Sequence, residues 1–147
     1  AVPVAETLDY WSQMLSLTGA KYAGGAQGTA LVMANAIADG YRNACPDRLV
    51  TETLQAPFIP GAVDVFAAFL GCTAIPDRQP EAMVVLIMAG ARDLYTLQWA
   101  ARAPASDAPV TYDMADWTPR LAQLAAGTRI CEIVAGEPAP YPSCVGN

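Results

Sequence analysis

The chain has 147 residues, 54% of them hydrophobic and 15% charged, with no histidine, four cysteines and a formal net charge of -6. That length suits a single domain able to bury its own core, and the apolar content excludes disorder. Fourteen acidic residues face eight basic ones that never cluster, which excludes a nucleic-acid-binding face.

In chain order, Ala1-Val2-Pro3-Val4-Ala5-Glu6 carries no charged head before an apolar run, and a small first residue suits a mature chain left by signal cleavage. Leu8, Trp11 and Leu15, at three- and four-residue spacing, predict an amphipathic helix over residues 5–18, ended by Gly19, Gly24 and Gly25. A second helix is expected from about 26 to 43, with Ala30, Met33, Ala34, Ile37 and Tyr41 on its inner face. Pro46, Pro80 and Pro119 stand where helices begin, because proline lacks only a donor that the first turn leaves unpaired.

Residues 61–72 are apolar on nearly every side apart from Asp64, which predicts a central helix. Residues 80–102 form the longest expected element. A buried helix suits the apolar run 82–91, and a strand over 83–88 is the competing assignment because Val84, Val85 and Ile87 favour sheets. That run is too short for a membrane span, which needs about 20 residues. A loop follows over 103–112. Thr118 before Pro119 reads as a helix start, Gly127 as its close, and 128–135 as a short strand. The expected fold is all-α: one mostly helical domain over 1–147, five or six helices packed as a bundle, with a short strand pair as a minor variant. An extended proline-rich tail over 132–147 is tethered by a disulfide.

Cys45, Cys72, Cys131 and Cys144 have no CxxC spacing and no histidine to complete a mixed zinc site, so they read as two disulfides formed in an oxidising compartment. Three pairings are open. Cys131 with Cys144 is favoured because Gly136, Pro138, Pro140 and Pro142 make the interval a non-helical loop, and Cys45 with Cys72 then follows. Each bridge is worth about 3 kcal/mol by loop entropy.

The missing histidine removes Ser-His-Asp and Cys-His catalysis and the helical zincin motif. Lys21 is the single lysine, and Ser16 lies five residues before it rather than at the spacing of a Ser-x-x-Lys pair. Gly24-Gly25-Ala26-Gln27-Gly28 resembles the nucleophile elbow of cutinase-like hydrolases, with alanine where the serine stands; on its residues it is a glycine turn before a helix. Asp113 and Asp116, three apart, form a candidate acid–base pair, and equally the acidic start of a helix.

No cofactor or metal is called for, and the chain is read as leaning away from enzymes. The leading expectation is a non-enzymatic secreted or periplasmic protein-interaction domain: a subunit of an extracytoplasmic complex or surface assembly, or an inhibitor or immunity-type binder. Its partner would be another protein or a second copy, with no nucleic acid and no transmembrane segment involved. The alternative is a carrier of a lipid or other apolar small molecule, with Trp11, Phe66, Phe69, Tyr95 and Trp99 as candidate ligand-binding residues. A carboxylate-based enzyme is the second alternative.

Overall fold

The computed structural model describes residues 1–21, 28–75, 78–104 and 108–145. Its centre is β4 (Glu81–Ala89), whose residues alternate between two cores. Met83, Val85, Ile87 and Ala89 face one side, and Ala82, Val84, Leu86 and Met88 the other. A strand covered on both faces loses the apolar–polar alternation that normally marks a strand. This is why the apolar run over 82–91 reads as a helix, and why the strand assignment over 83–88 is the one the structure bears out.

Around β4 lie β1 (Gln13–Lys21), β2 (Leu49–Leu54), β3 (Asp64–Cys72) and β5 (Asp93–Arg102), in the order β1-β5-β4-β3-β2. All four pairings are antiparallel, so β2 to β5 form a meander and β1 closes the far edge beside β5. The helix α1 (Thr29–Ala44) crosses one face between the two edges, and α2 (Met114–Ala125) covers the other. A one-turn helix, α3 (Pro142–Val145), lies in the tail.

The all-α expectation is therefore corrected: the protein is an α+β fold built on a five-stranded antiparallel sheet, not a helical bundle. The helix expected over 5–18 is an irregular segment followed by β1; Leu8 is 74% exposed, so its helical spacing served no core. The central helix over 61–72 is β3, and 80–102 is the β4–β5 hairpin. Pro46 precedes a turn and then β2, and Pro80 precedes β4, because proline suits the residue before a strand as well as a helix start. The segment 128–135 carries no strand.

The two substantial helices were legible. Ala30, Ala34, Met33, Ile37 and Tyr41 of α1 pack on the sheet as expected from their spacing. Gly28 enters the helix in the left-handed region (φ 89°) and offers no side-chain cap; the carboxylate of Asp64, the lone acid of β3, accepts from the Ala30 amide at 2.8 Å. The elbow-like residues before it, 24–27, lie outside the described residues. Helix α2 is capped five residues before Thr118: Asp113 is its cap, accepting from the Ala115 amide at 2.9 Å, and Pro119 sits inside. Trp117, Leu121 and Leu124 form its buried stripe, and Gly127 (φ 74°) follows its end.

Both disulfides form with the favoured pairing. Cys45–Cys72 joins the end of α1 to the end of β3, and Cys131–Cys144 closes the tail. No described helix is long and apolar enough to cross a membrane.

Candidate functional site

The tail after α2 is fixed to the molecule at a few points. Thr128 donates its hydroxyl to the Leu124 carbonyl at 2.6 Å, and the Ile130 amide donates to the Pro60 carbonyl at 2.9 Å. Gly61 makes that contact feasible: a Cβ on it would lie 1.9 Å from the Ile130 carbonyl oxygen, and its φ of +80° already favours glycine. Farther on, Arg129 donates to the Cys144 carbonyl at 3.1 Å, and Glu137 accepts from the amide and hydroxyl of Ser143. Those two bonds hold the Glu137 carboxyl below the usual carboxylate range.

Anchored in this way, the tail stands off the sheet and leaves a trough of about 470 Å³. Leu97, Tyr95 and Met88 form its floor, Leu17 of β1 its outer rim, and Ile133 and Tyr141 its wall. The trough continues past Tyr95 into a more polar space of about 650 Å³ bordered by Arg92, Asp93 and Glu132, of which Arg92 and Glu132 pair at 3.2 Å. Burial, then the charge of Asp93 and a hydrogen bond to it, push the Tyr95 hydroxyl above its ordinary value. It stays protonated at neutral pH. Among the described residues the lining is mainly apolar, with Thr128, Arg129 and the Cys131–Cys144 bridge beside it.

The sheet separates the aromatic residues singled out above. Trp11 and Phe66 lie on the α1 face, where the Arg102 guanidinium stacks 3.9 Å from the Trp11 ring. Phe69, Tyr95 and Trp99 lie on the α2 face. Phe69 is fully buried, in edge-to-face contact with Trp117 at 5.1 Å and Tyr112 at 5.4 Å. Trp99 sits four residues along β5 from Tyr95, about 13 Å at the strand rise, and donates to the Gln13 side chain at 3.0 Å. Only Tyr95 of the five borders the trough. Leu17, Leu97, Ile133 and Tyr141 were missed; the available signal was Ile133 beside Val134 in a proline-rich tail, apolar residues with no element of their own to pack.

Asp113 is the cap of α2 and Asp116 stands in its first turn. A second polar cluster joins α1 to the sheet: Glu81 pairs with Arg102 at 3.3 Å and accepts from the Tyr41 hydroxyl at 3.2 Å. Every member is bonded within the fold. Among the described residues no three His, Cys, Asp or Glu side chains gather as a metal site. No family model, curated protein or solved structure matches the chain.

Proposed function

We propose that the protein is a non-enzymatic, secreted or periplasmic interaction domain that seats an apolar side chain of a protein partner in the trough beneath its tail. The observation that carries this reading is the trough itself: apolar floor and rim, walled by a segment whose position the Cys131–Cys144 bridge maintains. Two disulfides are compatible with an extracytoplasmic protein. Exposed Leu17 and Ile133, 65% and 57% accessible, lie on opposite margins and would be covered by a partner.

The carrier alternative draws support from the combined space on either side of Tyr95. It is the weaker reading because carrier sites bury about 70–90% of their ligand, whereas this trough is open along its length. The test uses an anilinonaphthalene sulfonate probe with Leu17→Glu and Ile133→Glu, surface changes that leave the cores intact. Saturable binding at one site per chain, weakened about tenfold or more by either change, is expected. Equal affinity in all three proteins would show that the trough is not the site.

A further inference from the structure

The α2 face of the sheet continues beyond the trough. Two residues after Leu97, about 7 Å along β5, Trp99 lies on the same face, its indole N–H donated to the Gln13 side chain at 3.0 Å. Leu17 and Leu15 stand opposite Leu97 and Trp99 on β1, and both are exposed. Beside Trp99 lies Arg120 of α2, its guanidinium carbon 4.2 Å from the centre of the Trp117 ring and 5.8 Å from that of Trp99.

Arg120 differs from the arginines that are paired elsewhere in the fold. Arg42, Arg92 and Arg102 each meet a carboxylate, whereas among the described residues none lies within ion-pair reach of Arg120. Asp116 stands one turn before it on α2, the spacing at which an acid and a later arginine attract. The guanidinium lies over Trp117 instead. An aromatic face attracts the charge but accepts none of the in-plane N–H bonds, so the fork stays open. A planar cation held in this way fits a carboxylate through two parallel bonds.

We infer that Arg120 selects the partner by binding a carboxylate that the partner carries two residues from the apolar side chain seated in the trough. This rests on the trough being the binding site. The spacing follows from β5, since Leu97 and Trp99 are separated by the same repeat that separates same-face side chains of an extended peptide. Charge complementarity sets the chemistry of the occupant: a cation beside an apolar floor suits a segment that is both acidic and apolar. A second copy would bring a further net charge of -6 to the contact, which opposes self-association.

The experiment titrates the ¹⁵N-labelled protein with acetylated, amidated peptides of the pattern Thr-Glu-Thr-Leu-Thr, its reverse, and both with glutamine in place of glutamate. In one direction the glutamate peptide is expected to bind about tenfold tighter than its glutamine counterpart, with the Leu97 amide and the Trp99 indole signals shifting. Arg120→Gln should abolish that preference and leave affinity for the glutamine peptide unchanged. Arg120→Lys, a charge without the fork, should keep only part of it. Equal binding of the two peptides to the native chain, or a preference that survives in Arg120→Gln, would overturn the role of Arg120 and leave the trough as a site. If no peptide shifts either signal, both fail. Dodecanoate bound in their place, and lost in Arg120→Gln, would make the occupant an amphiphile and overturn the protein partner. A doubled mass of the peptide-free chain, lost in Arg120→Gln, would overturn it in favour of a second copy.

Discussion

Single residues decide how the tail meets the sheet, and Gly61 is the most constrained of them. Any side chain there must displace the Ile130 carbonyl, since the 1.9 Å approach is to backbone rather than to a flexible side chain. Gly61→Ala is expected to cost about 2–4 kcal/mol, read as a lowered urea midpoint, and to weaken probe binding because the trough wall moves with Ile130. Tyrosines set the response to alkali. Burial and then the charge of Glu81 push the Tyr112 hydroxyl up to about 12, and the same two causes raise Tyr41 further. A folded-state value above the unfolded one leaves stability intact below pH ~10 and erodes it as pH rises toward the folded value. Urea midpoints measured from pH 9 to 12 should fall with pH, and Tyr112→Phe should flatten that slope while losing the bond that Tyr112 donates to the Cys72 carbonyl at 2.7 Å.

At the scale of elements, legibility followed burial. Helices α1 and α2 each expose one side, so their apolar residues keep a helical period and could be found from it. Strands β3 and β4 lie between the two helical layers, and their alternation disappears into continuous apolar sequence rich in alanine, a strong helix former. Their valines were the truer signal. Strand β1 misled for the opposite reason: as an edge strand it exposes Leu15 and Leu17, and no period could register a core it hardly joins. The trough was illegible because its floor and wall come from β1, β4, β5 and the tail, brought together by register and one disulfide.

The two bridges have different exposure and should separate in experiment. Cys45 and Cys72 are 2% and 1% accessible, whereas Cys131 and Cys144 are half-buried in the tail. Limited reduction followed by alkylation should label Cys131 and Cys144 first. Replacing both by serine should cost about 3 kcal/mol by loop entropy, leave the sheet folded and weaken trough binding. Labelling of Cys45 and Cys72 at equal speed would mean that α1 and β3 part as readily as the tail.

As a whole, the molecule is a three-layer arrangement in which the sheet is covered by one helix on each side. The α1 layer is closed by α1 and the Tyr41–Glu81–Arg102 cluster. The α2 layer is shorter, because the 12-residue α2 spans β4 and part of β5 and leaves the β1 side to the tail. That unequal coverage produces the trough, and it was beyond a reading of composition. The absence of histidine was legible at once and still removes the same catalytic classes.

The central claim is that this trough stays empty until a polypeptide partner fills it. Native mass spectrometry of the purified chain, before and after mild denaturation, tests it most directly. The account predicts the bare 15.4 kDa chain under both conditions. A lipid-sized adduct retained in the native protein and released on denaturation would contradict it and make the protein a carrier.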